Sequence, residues 1–148
     1  MKVFLGADHA GFEVKEKIKE FLKYNKIQYS DLGAKELVGD DDYPDFAFAV
    51  AEKVSGDKNS RGILFCSTGE GMEISANKVD GIRAITGYNI EAVELSRMHN
   101  DSNVICFGTN LTPINEIKTM IKKWLKTEFT GAIRHRRRLY KIKEYESR

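Results

Sequence analysis

The chain has 148 residues, 41% hydrophobic and 31% charged, which is the size of one domain able to bury roughly two thirds of its extended-chain surface. No apolar run approaches the ~20 residues needed to cross a bilayer, and Met1-Lys2-Val3-Phe4-Leu5 is too short for a signal peptide, so a soluble, cytoplasmic protein with no membrane partner is expected. With 24 basic against 22 acidic residues there is no strong overall field for nucleic acid, and any phosphate-binding power must be local.

In chain order, Val3-Phe4-Leu5 reads as a first strand, and Val14, Ile18, Phe21 and Leu22 form a helical stripe. Ile27-Gln28-Tyr29 follows as a second strand, and Phe46, Ala47, Val50, Ala51 and Val54 form a second stripe. Ile63-Leu64-Phe65 is the third strand, with a helix from Met72; Ile82-Arg83-Ala84-Ile85 is the fourth, with a helical segment ending at His99-Asn100-Asp101. Val104-Ile105-Cys106-Phe107 is the fifth strand, followed by a stripe through Ile114, Ile117, Met120, Ile121, Trp124 and Leu125. The segment from Arg134 reads as a charged helix carrying Leu139, Ile142 and Tyr145, the kind of tail that packs on a partner subunit. This alternation predicts an α/β, Rossmann-like three-layer sandwich with a five-stranded parallel sheet and a C-terminal helix, because parallel strands need crossover connections. Residues 1–148 are expected to form a single domain, with 134–148 contributing to a dimer.

In such sheets ligands bind beyond the carboxyl ends of the strands. After the first strand comes Gly6-Ala7-Asp8-His9-Ala10-Gly11, and after the third Cys66-Ser67-Thr68-Gly69-Glu70-Gly71; if these strands are neighbours, the two loops face each other. The second loop offers successive N–H groups and a helix start, a combination that holds phosphate or a developing oxyanion. It matches neither the dinucleotide fingerprint nor the Walker spacing. The same N–H dipoles would lower the Cys66 thiol from its free value of about 8.5, supplying a thiolate. Cys106, followed by Phe107-Gly108, reads as a buried apolar residue, and no structural disulfide is expected. His99 and Asn100 are expected on the same functional edge of the sheet. Arg134 and Arg138 lie one helical turn apart and could grip a phosphate together. Asp40-Asp41-Asp42 has no downstream ligand spacing and reads as an exposed loop, not a metal site.

Taken together, Gly-x-Asp-His near the start, Asp42-Tyr43-Pro44, Cys66-Ser67-Thr68-Gly69-x-Gly71 with Ala76-Asn77-Lys78, Gly81-Ile82-Arg83, Ser96-Arg97-x-His99-Asn100-Asp101-x-Asn103 and Arg134-His135-x-x-Arg138 resemble the type B ribose-5-phosphate isomerases, in order and spacing, across nearly the whole chain. The resemblance implies an enzyme without metal or cofactor, a homodimer or dimer of dimers whose sites borrow residues across the interface, and a small sugar phosphate as partner. It implies that Asp8 and His99 assist opening of the furanose ring, and that Cys66 moves a proton between C2 and C1. The loop carrying Ser67, Thr68, Gly69, Glu70 and Gly71 would hold the enediolate oxygen. His9, Arg134 and Arg138 would take the phosphate end, with Tyr43 and Asn100 contacting substrate. Ribose 5-phosphate and ribulose 5-phosphate are the expected pair, with a six-carbon aldose phosphate, or binding with weak turnover, as alternatives. Departures from the common pattern are Ser67 for Gly, Glu70 for an apolar residue, Glu73 for a small or polar one, Asn110 for a phosphate-directed Arg, and one additional residue near Gly131-Ala132-Ile133.

Overall fold

A computed structural model describes Met1–Arg148. Strands β1 (Lys2–Ala7), β2 (Tyr29–Asp31), β3 (Ser60–Cys66), β4 (Ala84–Thr86) and β5 (Val104–Gly108) alternate with α1 (Phe12–Tyr24), α2 (Tyr43–Ser55), α3 (Glu70–Ala76), α4 (Ile90–Asn100) and α5 (Ile114–Lys126), and α6 (Ile133–Glu146) closes the chain. The sheet is wholly parallel in the order β2-β1-β3-β5-β4.

Strand periodicity sorts the core into two layers, since successive side chains point to opposite faces. Val3, Leu5, Ala7, Ile63, Phe65, Ile105 and Phe107 pack with Ile18, Leu22, Val93, Ile117 and Trp124 from α1, α4 and α5. The intervening Phe4, Leu64, Cys66, Val104 and Cys106 pack with Ala47, Val50, Met72 and Ala76 from α2 and α3. The two cysteines therefore share a face, on neighbouring strands.

Two short strands start later than their apolar runs suggest. Ile27 follows the left-handed Lys26 (φ 57°), sends its N–H back to Leu22 O at 2.9 Å, and packs on the core as the stop of α1. Ile82 likewise closes a turn on Val79 O at 3.1 Å and is buried against the α2 and α3 layer. Burial demanded those residues, and the sheet ladder did not. No helix is long and apolar enough to cross a membrane.

Strand order reverses beside β1: the chain steps to β2 on one side and to β3 on the other. Register runs from Lys2↔Ser60 to Ala7↔Phe65, so β1 and β3 end level, and Asp8 donates its N–H to Phe65 O at 3.3 Å. Asp8 and Cys66 thus emerge side by side at the crevice where such folds bind ligands.

Candidate active site

Cys66 is the last residue of β3 and is 4% exposed. Its sulfur accepts the Gly69 N–H at 3.1 Å. That contact requires the chain to reverse within three residues, and Gly69 does so with φ +85°, a left-handed conformation that side chains other than Gly's rarely adopt. The end of β5 backs onto this loop so closely that a Cβ on Gly108 would lie 2.4 Å from Thr68 O. The continuation of β5 braces it further. Thr109 donates its N–H to Cys66 O (2.9 Å) and its hydroxyl to Ala10 O (2.9 Å), tying together the loops after β1 and β3. Asn110 donates its N–H to Ser67 O (3.0 Å) and its side-chain amide to Ser67 Oγ (2.7 Å). Within the chain, its side chain braces the loop.

Asp8 is 5% exposed, and its Oδ1 accepts the Gly11 N–H at 3.1 Å. Burial lifts its carboxyl above the usual carboxylate range, against the lowering effects of that N–H and of His9. His9 corrects the reading of residues 40–42 as a plain exposed loop. Asp41 Oδ1 accepts both the His9 backbone N–H (2.9 Å) and a 2.7 Å bond from Nδ1, and the pairing raises the imidazole above its ordinary value. Asp8, His9 and Asp41 bring potential ligating atoms within 4.8 Å of one another, but Nδ1 and Oδ1 are spent on each other. Tyr43, at the start of α2, lays its ring against Gly71, where a Cβ would stand 2.7 Å from it.

The two carboxylates that flank the loop face β4 and its exit. Glu73 bonds the Thr86 hydroxyl, and Glu70 bonds the Tyr88 hydroxyl, pushing that phenol up. Hydroxyl partners hold both side chains, which limits their freedom to turn toward an anion in the loop.

His99 and Asn100 are not on this edge, contrary to the sequence expectation. Helix α4 starts after β4 at the carboxyl edge, where Asn89 caps it by accepting the Ala92 N–H at 2.8 Å, and then runs back across the sheet. Its last turn reaches the amino edge, where Arg83, just before β4, donates to Asn100 O (3.0 Å) and Asp101 O (2.9 Å). Arg134 and Arg138 lie there too, because α6 docks beside α4: His135 is 4% exposed and stacks on His99 with ring centroids 4.4 Å apart and planes within 6°. Burial lowers the His135 imidazole below the usual range, and Arg134, His99 and Arg138 add to that. From Val104 to Gly108 alone the edges are about 13 Å apart at ~3.3 Å per residue. Asp8, His9, Tyr43, Cys66, Ser67, Thr68, Gly69, Glu70 and Gly71 therefore gather at one edge, and His99, Asn100, Arg134 and Arg138 at the other. His135 and Asp41 were not among the candidate residues: His135 stood inside a quoted motif, and Asp41 inside an acidic run read as an exposed loop.

The sequence pattern of the Ribose/Galactose Isomerase family matches residues 3–142. A Bacillus subtilis protein described as a candidate sugar phosphate isomerase is 43% identical over 148 residues, covering 100% of this chain and 99% of the relative. Ribose-5-phosphate isomerase B from Clostridium thermocellum superposes with a TM-score of 0.95 at 40% identity, covering 99% of this chain and 98% of that one. The Mycoplasma genitalium ribose-5-phosphate isomerase B with bound ribulose-5-phosphate also gives 0.95, at 38% identity, with 99% and 96% covered. By a family match over nearly its whole length and by relatives sharing about two fifths of its residues, the chain belongs to the ribose/galactose isomerase family, with the type B ribose-5-phosphate isomerases.

Proposed function

We propose that this enzyme interconverts ribose 5-phosphate and ribulose 5-phosphate through an enediolate, with Cys66 as the base. The observation that carries this reading is the Cys66 sulfur at the end of β3, receiving an N–H at 3.1 Å and lying beside the buried Asp8. Moving a carbonyl from C1 to C2 needs one base that reaches adjacent carbons, donors for the enediolate oxygens and an anchor for the remote phosphate. The Cys66 thiolate takes the C2 proton and the electron pair moves through the C1–C2 bond onto O1; a proton passes from the O2 hydroxyl to O1, and the thiol returns its proton to C1 as O2 becomes the carbonyl. Thr68 and the N–H groups of residues 67–71 stabilise the charge on oxygen. Asp8, with its raised carboxyl, and His99 exchange protons with the ring oxygen and the anomeric hydroxyl during ring opening. His9, Arg134 and Arg138 hold the phosphate, and Tyr43 and Asn100 contact the sugar. Binding energy at the phosphate then aligns the reacting carbons.

Because the two groups of residues lie at opposite edges of one sheet, the proposed site is assembled from two copies, the carboxyl edge of one meeting the amino edge of the other. A homodimer satisfies this with two equivalent sites, as does a dimer of dimers. The decisive experiment is an isomerisation assay of chelator-treated protein with ribose 5-phosphate beside allose and galactose 6-phosphates. Turnover of ribose 5-phosphate is expected, undiminished by the chelator. Turnover of a six-carbon substrate alone would reassign the substrate, and tight binding without turnover would make the protein a sugar-phosphate binder.

A further inference from the structure

Of the charged clusters in the molecule, the one between the loops after β1 and before α2 is not accounted for by packing. Asp41 Oδ1 accepts two hydrogen bonds, both from His9, at 2.9 Å from the backbone and 2.7 Å from Nδ1, across 32 residues of sequence. The Asp41 side chain is 13% exposed, and its other oxygen, Oδ2, is buried with no hydrogen-bond partner. A buried, half-satisfied carboxylate is costly to a fold. The His9 ring is the more open partner, its side chain 42% exposed, and Asp41 engages only Nδ1, leaving Nε2 for a ligand.

We propose that Asp41 is a positioning residue for phosphate recognition: its carboxylate on Nδ1 makes His9 a fixed cationic donor whose Nε2–H is directed to the phosphate end of the sugar. This rests on the sugar-phosphate reading above and deepens it. The charged groups facing the imidazole are Asp8 from its own loop and Asp40 and Asp41 from the loop before α2; the Asp41 hydrogen bond raises His9 most, partial desolvation opposes it, and the three negative charges add to it. In the assembled site Arg134 and Arg138 from a second copy would disfavour a third cation at the same phosphate. A carboxylate locked to Nδ1 offsets that repulsion while fixing the ring plane. A charge-assisted N–H···O contact to phosphate is shorter and stronger than one from a neutral imidazole.

The sign of the pH dependence follows. A raised imidazole stays cationic to higher pH, so its phosphate contact is complete at acid pH and is lost as pH rises through the raised value. Asp41→Asn lowers the titration toward the ordinary ~6.5, so the same loss begins at lower pH. The test measures steady-state constants for ribose 5-phosphate from pH 5.5 to pH 8.5 in the wild type and Asp41→Asn, with an NMR titration of the His9 ring in both. At about pH 7.5 KM should rise by roughly an order of magnitude in Asp41→Asn with kcat within about twofold. The difference should vanish near about pH 6, where the imidazole protonates unaided. Ionisation of the sugar phosphate itself cancels in the ratio of the two proteins. His9→Asn should abolish the pH-dependent difference in either background. Equal KM values at every pH, or a loss in kcat that acid does not rescue, would overturn the proposal. An unchanged His9 titration in Asp41→Asn would do the same. If the wild type does not turn over ribose 5-phosphate, the sugar-phosphate reading fails instead, and the NMR titration still reports on the Asp41–His9 pair.

Discussion

The two edges of the sheet are built on different principles. At the carboxyl edge the proposed site is made of loops braced mainly through backbone atoms, with the Gly69 N–H on the Cys66 sulfur, the Thr109 N–H on Cys66 O and the Asn110 N–H on Ser67 O, and the Thr109 hydroxyl and Asn110 amide adding to them. At the amino edge the proposed residues sit on helix ends held by side chains. Arg97 donates to Asp101 Oδ1 (2.8 Å) and Ser102 O (2.5 Å), Arg83 grips the same carboxylate through Oδ2 (3.1 Å), and His135 stacks on His99. Bracing of this kind holds the Cys66 sulfur and the loop N–H groups with little play, as the proposed proton abstraction demands. The helix ends leave the cationic Arg134 and Arg138 exposed at this edge. On the proposed reading neither edge is a complete active site, and their chemistries are complementary.

The largest test of that division is Cys66→Ala. It should leave the fold and phosphate binding intact but reduce isomerisation, and exchange of the C2 proton with solvent, by roughly 1,000-fold or more. Wild-type exchange in the mutant would remove Cys66 from the chemistry. The division itself is tested by mixing. Cys66→Ala and His99→Asn should each be nearly inactive alone, yet coexpressed chains should recover about a quarter of wild-type activity, because half the random dimers are mixed and each carries one intact site of two. Recovery no better than the separate proteins would mean that each chain completes its own site.

A smaller effect sharpens the amino edge. His135→Leu should cut kcat on the cyclic sugar about tenfold with little change in KM, whereas His135→Phe, which keeps the flat face, should stay near wild type. Equal damage from both, or equal losses on an open-chain analogue, would show that the stack serves stability alone. The smallest effect is expected at the carboxyl edge. Asn110→Ala removes the amide bond to Ser67 and should cost about two- to fivefold in kcat, the size of one neutral hydrogen bond. A rise in KM without a change in kcat would instead return Asn110 to the phosphate.

What was legible in the sequence was whatever is local. Asp8, His9 and the Cys66 loop follow apolar runs directly, so strand direction placed them correctly at the carboxyl edge. The layer assignment was legible too, since period-2 and period-3.6 patterns state which side chains share a face. His99 was misplaced because its helix runs back across the sheet, which exchanges the edges between its two ends. Asp41 and His9, or Asn110 and Ser67, meet across 32 and 43 residues. Such pairs arise from where loops end in space, and no composition signal marks them. Ile27 and Ile82 read as strand residues because burial and β-propensity favour the same side chains.

The sharing of one face by Cys66 and Cys106 has a practical consequence for chemistry on this protein. Cys106 pairs with Leu64 across the ladder, so Cys66 lies two residues further along the neighbouring strand. At standard strand spacings their Cα atoms are about 8 Å apart, beyond the reach of a disulfide. Full burial, with Glu73 nearby, pushes the Cys106 thiol well above its ordinary value, keeping it protonated and inert. Cys66, by contrast, sits at the strand end beneath the turn of residues 67–71. Of the two thiols, a small alkylating reagent therefore has one to report on, and its labelling rate becomes a direct gauge of how often that turn lifts and whether a sugar phosphate holds it shut.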